Sequence, residues 1–147
     1  MKRYLSVILV VSMIVVFSWP GMARDTKEVF SIQEALNIPE AKGKIDPGIK
    51  LFFGDAKYPQ PLKVIGPVKA NRKTNAANKS DKEACQWAFL SAILNLQKAA
   101  HNQGGNAVVG IHSIYKNNNF ESSTEFLCGA GAIMAGVAFT GTIVQLP

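Results

Sequence analysis

Ser80-Asp81-Lys82-Glu83-Ala84-Cys85-Gln86-Trp87-Ala88-Phe89-Leu90-Ser91-Ala92-Ile93-Leu94-Asn95-Leu96-Gln97-Lys98-Ala99-Ala100-His101-Asn102-Gln103-Gly104-Gly105 is followed directly by Asn106-Ala107-Val108-Val109-Gly110-Ile111-His112-Ser113-Ile114-Tyr115. Ser80 to Glu83 forms a capping box, with the Ser80 oxygen taking the Glu83 amide and the Glu83 carboxylate reaching back. Cys85, Ala88, Phe89, Ala92, Ile93, Leu96, Ala99 and Ala100 then recur at helical spacing, with Gln86, Asn95, Lys98 and Asn102 opposite. Gly104-Gly105 supplies a left-handed stop. After it the period changes to two, so Ala107 to Tyr115 reads as a buried strand. A long helix, a glycine stop and a core strand make one folding unit.

Strands are expected on both sides of this unit. Pro47-Gly48 marks a turn, and Ile49-Lys50-Leu51-Phe52-Phe53 reads as a short strand closed by Gly54. Leu62 to Lys69 is a second strand, which Pro67 pushes towards a sheet edge. Ala70 to Lys79, rich in Asn and Lys, reads as an exposed loop. Lys116 to Asn119 is a turn tolerant of left-handed conformations. Glu121 to Ala130 is a further strand, and Ile133 to Leu146 another, its glycines marking bulges or close backbone approach. A helix through Ala130 to Ala138 competes with that last strand, but the glycines at 129, 131 and 136 oppose it. The expected fold class is α+β, with one principal helix packed on a mostly antiparallel sheet in the order β-β-α-β-β-β.

With 147 residues the chain has room for one domain. Lys2-Arg3, the apolar run from Tyr4 to Pro20 and the small residues Gly21 and Ala23 read as a signal peptide over residues 1–23. The 20 uncharged residues between Arg3 and Arg24 are also long enough for an uncleaved anchor. The closeness of Pro20 and the G-x-A site to the apolar run favours cleavage after Ala23. Residues 24–48 then form a flexible N-terminal segment, with a short helix capped by Ser31, and residues 49–147 the single domain. The expected location is the periplasm or outside the cell, with no membrane insertion after cleavage.

Removing Lys2 and Arg3 lowers the net charge from +6 to +4, and the remaining lysines are scattered. Arg72-Lys73 is the one adjacent basic pair of the mature chain. A nucleic-acid groove needs a clustered basic face with stacking aromatics. No nucleic-acid partner is expected.

Export places Cys85 and Cys128 in an oxidising compartment, where two cysteines form one disulfide. A metal set of Cys85, His101, His112 and Cys128 is the rival reading. Zinc sites take ligands in tight local pairs, whereas these residues stand 16, 11 and 16 apart. His101 and His112 are therefore only weak metal candidates. A nucleophile at Cys85 or Ser113 with His112 is also weak, because neighbouring strand residues point to opposite faces. The chain has no G-x-x-x-x-G-K-[ST] phosphate loop and no paired carboxylates. The expectation is a non-enzyme without cofactor.

Gly105-Asn106-Ala107-Val108-Val109-Gly110-Ile111, following a helix that ends in glycine, resembles the core of the YbjQ-like and RcsF-like small-domain families. The resemblance covers roughly 64–144 and implies a compact domain with one dominant helix against a sheet. The placement of Cys85 and Cys128 is similar to that of RcsF-like proteins. That likeness implies an exported, disulfide-containing envelope protein that senses damage through contacts with other proteins. YbjQ-like proteins tend to form rings of identical subunits, and some are described as heavy-metal-binding. The resulting expectation is a binding or structural module of the cell envelope, acting through a protein partner or as a homo-oligomer, with a role in stress sensing. A metal-binding periplasmic protein and a small hydrolase are the alternatives.

Overall fold

The computed structural model describes residues 24–147. The expected signal peptide over residues 1–23 lies outside the described residues. The elements run β1 (Asp25–Ser31), α1 (Ile32–Leu36), a 3-10 turn (Pro39–Ala41), β2 (Lys50–Phe53), β3 (Lys63–Asn75) and α2 (Asp81–Asn102). They continue with β4 (Ala107–Ser113), a second 3-10 turn (Tyr115–Asn117), β5 (Glu125–Gly131) and β6 (Met134–Gln145). The six strands form one mixed, mostly antiparallel sheet in the order β1-β5-β6-β4-β2. β3 pairs with β6 as well, and β2 with β4 is the parallel pair. The fold class is α+β, with α2 packed on one face of the sheet.

α2 begins and ends on the signals its sequence carries. The Ser80 Oγ accepts from the Glu83 amide at 3.1 Å. Gly104, at φ +77°, donates to the His101 carbonyl at 3.1 Å, and Gly105 donates to that of Ala100 at 2.9 Å. That pair of hydrogen bonds is the Schellman arrangement, satisfying carbonyls the helix leaves open. The buried stripe of α2 places Phe89 among Phe53, Phe126 and Phe139, with ring centroids 4.6–6.0 Å away. Cys85 and Cys128 are joined across 6.0 Å between Cα atoms, tying the first turns of α2 to β5.

Gly110, at φ +61°, coincides with a one-residue bulge in β4, where the partners change from Val109↔Thr142 to His112↔Thr140. The bulge inverts the alternation: Val108 and Ile111 both reach the main core, while Val109 faces a small second core with Ala107, Val144 and Leu146.

The structure corrects three expectations. Residues 24–48 are not a flexible segment: β1 pairs with β5 from Asp25↔Gly131 to Ser31↔Glu125, and Ile32 and Ala35 are buried. The strand is held by its backbone ladder at a sheet border, so Asp25, Lys27 and Glu28 need no apolar alternation. Residues 70–79 are not a loop throughout, because β3 continues to Asn75 opposite Met134. Its exposed residues Lys69, Asn71, Lys73 and Asn75 alternate with Val68, Ala70, Arg72 and Thr74, which are buried or half-buried. The element order consequently gains a strand, β-β-β-α-β-β-β.

Arg24 ties the start of β1 to the start of α2, donating to both Asp81 oxygens at 2.7 and 2.6 Å. Chiefly through that hydrogen bond, the Asp81 carboxyl is held below the usual carboxylate range and the Arg24 guanidinium above its own. A depressed carboxylate contributes stability that is complete above its unfolded pKa and is lost as pH falls through the folded one. The thermal midpoint of the native protein should therefore exceed that of Asp81→Asn above about pH 5, with the gap closing towards about pH 3. The pair is exposed, so the gap is small and should shrink further in high salt. A gap that does not change between those pH values would remove this role.

Candidate binding site

Of the residues singled out from the sequence, Cys85 and Cys128 come together as the expected disulfide, and the others do not join them in one site. Cys85 and Cys128 are bonded to each other and offer no thiolate to a metal or an acyl group. His101 lies in the last turn of α2 and lines a shallow hollow with Asp46, Gln97 and Lys98. His112 stands in β4 opposite Thr140, with its Nδ1 2.8 Å from the Gly110 carbonyl. Ser113 is buried, and its Oγ accepts the Leu127 amide at 3.0 Å, so the hydroxyl links β4 to β5. The partners of the two cysteines, His112 and Ser113 account for those side chains structurally.

A different constellation occupies the sheet face turned away from α2. Gly129 of β5 pairs with Gly136 of β6, which pairs in turn with Lys73 of β3. Without side chains, the two glycines leave a flat floor on which the Tyr115 ring lies. A Cβ at Gly129 would overlap that ring, and one at Gly136 would meet Tyr115 at 3.5 Å and the Lys73 stem at 3.2 Å. The loop carrying Tyr115 is clipped at its base by mutual bonds between Ser113 and Phe120, at 3.0 and 2.9 Å. Within it, Lys116 and Asn117 are both left-handed, at φ 49° and 61°. Asn tolerates that region, whereas Lys pays a steric cost there. Asn118 Nδ2 holds the turn through the carbonyls of Tyr115 and Lys116, each at 3.0 Å.

Two adjoining hollows of about 360 and 370 Å³ share Lys73, Tyr115 and Lys116. The first opens beside Arg24 and the β5–β6 turn, where Ile133 is 70% and Met134 47% exposed. The second runs past Lys69, Asn71 and Asn117. Lys116 is paired with Asp25, whose hydrogen bond holds the ammonium above its usual range, and Arg24 is committed to Asp81. Lys69 and Lys73 have no carboxylate partner among the described residues. The cleft thus combines an aromatic floor, an apolar lip and two unneutralised ammonium groups. That arrangement suits holding a partly apolar, partly anionic surface.

Compared with models of known protein families and with curated proteins, the chain matches none.

The sequence reading missed this cleft because its parts come from residues 24, 73, 115 and 133, which only the strand register brings together. The available signals were the Asn-rich left-handed turn and the glycines at 129 and 136. Gly129→Ala tests the construction. Its Cβ strikes the far end of the Tyr115 side chain, so the ring should leave the floor while the fold persists. The expected result is unchanged far-ultraviolet circular dichroism with large chemical-shift changes at Tyr115 and Gly136. Unmoved Tyr115 resonances would show that the ring does not rest there.

Proposed function

We propose that this protein is an exported, disulfide-locked binding module of the cell envelope, working through protein contacts at the Tyr115 cleft. The observation that carries the reading is the exposed pair Ile133 and Met134 beside Lys73, which has no carboxylate partner among the described residues, and the Tyr115 ring. Large apolar side chains rimmed by charge are the usual composition of a protein-contact surface. The disulfide suits an oxidising compartment, and the resemblance to YbjQ-like and RcsF-like domains points to the same class. Envelope stress sensing is the role this reading gives the module when its partner is a signalling protein. The metal alternative is not favoured, because both thiols are bonded and His101 and His112 belong to different layers.

The test is site-directed photo-crosslinking in cells that export the protein by its own leader. A photoreactive residue at Ile133 should give discrete higher-mass adducts, and one at exposed Lys98 on α2 should not. Intact mass of the exported protein should begin at Arg24, with two alkylations appearing only after reduction. Equal crosslinking from both positions, or none from Ile133, would overturn the reading.

A further inference from the structure

β3 has one ladder, to β6, and its other side is free of strands among the described residues. The Ala76 amide donates to the Ile133 carbonyl at 2.7 Å, next to the Asn75↔Met134 pair. That bond fixes the parity of the ladder. The even-numbered residues from Gly66 to Thr74 exchange hydrogen bonds with β6, and the odd-numbered ones turn their amides and carbonyls to the free side. Pro67 falls on the free side, where lacking an N–H costs the ladder nothing. Lys69, Asn71 and Lys73 follow it, all exposed. Their outward amides have no backbone partner among the described residues, and the Asn71 carbonyl receives only a 3.4 Å bond from neighbouring Arg72.

Lys63, Lys69, Arg72 and Lys73 make this edge basic, and neither β3 nor β6 contains an Asp or Glu. Both flanks of the edge are shaped. On one, the Lys69 and Lys73 side chains border the Tyr115 hollow. On the other, a groove of about 280 Å³ between β3 and α2 is lined by Thr74, Trp87, Leu90, Ser91 and Leu94, with Lys73 at its border and the Lys44 ammonium over the Trp87 ring. A strand added at the edge would turn alternate side chains to the lysines and to Trp87–Leu94.

Charge complementarity favours an acidic partner over a second copy. Antiparallel pairing of β3 with itself about Asn71 would set Lys69 directly opposite Lys73 of the other copy, twice over, and pairing about Ala70, where Lys69 meets Asn71, would still bring two basic strands together. Like charges in that position are destabilising. We propose that the free edge of β3 docks an extended segment of a partner protein in which acidic and apolar side chains alternate. This rests on the binding-module reading and supplies the partner's chemistry. Exposed lysines also protect an edge from aggregation, a role that needs no ligand.

The test is a titration of the isotope-labelled exported protein with a capped hexapeptide alternating glutamate and valine, monitored by amide chemical shift and hydrogen exchange. The amides of Lys69, Asn71 and Lys73 should shift and gain protection, while those of Ala70 and Arg72, already bonded to β6, should gain little. Asn71→Pro removes an N–H that only the free side uses, and should weaken binding about tenfold or more. Should that variant fail to fold, the unaltered protein with a peptide methylated at alternate amide nitrogens tests the reciprocal bonds of the same ladder, those the peptide donates to the outward carbonyls of β3. Lys69→Glu with Lys73→Glu should weaken the acidic peptide and admit its lysine counterpart. Binding that survives Asn71→Pro or amide methylation but not the charge reversal is attraction to any polyanion, including an anionic lipid surface, and overturns the proposal. No shift at about 1 mM peptide also overturns it. Crosslinks from Ile133 without edge binding would remove this inference and leave the binding module standing, whereas loss of both would remove both.

Discussion

Phe89→Ala is expected to cost about 3–5 kcal/mol, a large share of the about 5–15 kcal/mol that holds a domain of this size folded. Phe89 is fully buried in α2 and its ring meets three others, Phe126 at 4.6 Å, Phe139 at 5.7 Å and Phe53 at 6.0 Å. Those partners belong to β5, β6 and β2, so one side chain joins the helix to three strands. Removing the ring forfeits its transfer free energy and leaves a void that rigid aromatic neighbours cannot close. Phe89→Leu keeps most of the volume and should cost roughly half as much. Urea unfolding monitored by circular dichroism measures both, with the disulfide intact so that the denatured states match. A loss below about 1 kcal/mol for Phe89→Ala would show that the cluster repacks and that the helix is held chiefly by other contacts.

How each element is held decides whether its sequence betrays it. α2 was readable to its ends because Ser80, Gly104 and the apolar stripe all act within one element. The disulfide was readable because a chain with two cysteines allows one intramolecular pairing. β1 was not, since Asp25-Thr26-Lys27-Glu28 joins the sheet through its backbone and buries little. The second half of β3 was hidden for a related reason. On a free edge, Asn71, Lys73 and Asn75 can face solvent without breaking the ladder, and their composition imitates a loop. The β4 bulge was hidden too, because unbroken alternation through Val109, Gly110 and Ile111 assigns the wrong faces to the rest of the strand. The cleft needed the register itself: Gly129, Gly136 and Lys73 come into line only when β5, β6 and β3 are paired.

Cys85→Ser and Cys128→Ser are each expected to lower stability by about 2–5 kcal/mol, and by equal amounts. The bridge spans a sequence separation of 43, for which loop-closure entropy gives roughly 4 kcal/mol. Both residues are fully buried, so each single substitution leaves one hydroxyl and one thiol in the core, whichever cysteine is changed. The equality is the sharper part of the prediction. If the bridge is the whole contribution, the double substitution should cost little more than either single one, since the second removes no further bond. Reduction of the native protein should reproduce much of the same loss without any change of sequence. The readout is urea unfolding of the two single variants, the double variant and the reduced native protein under one condition. A Cys85→Ser loss well above that of Cys128→Ser would assign Cys85 a packing role in the first turns of α2 beyond the crosslink. The reverse inequality would place that role in β5, beneath the glycine floor of the Tyr115 cleft. Gly129→Ala alters that floor without touching the bridge. Combined with Cys128→Ser it should give additive losses if floor and bridge are independent, and a smaller combined loss if the bridge is what holds Gly129 against the ring.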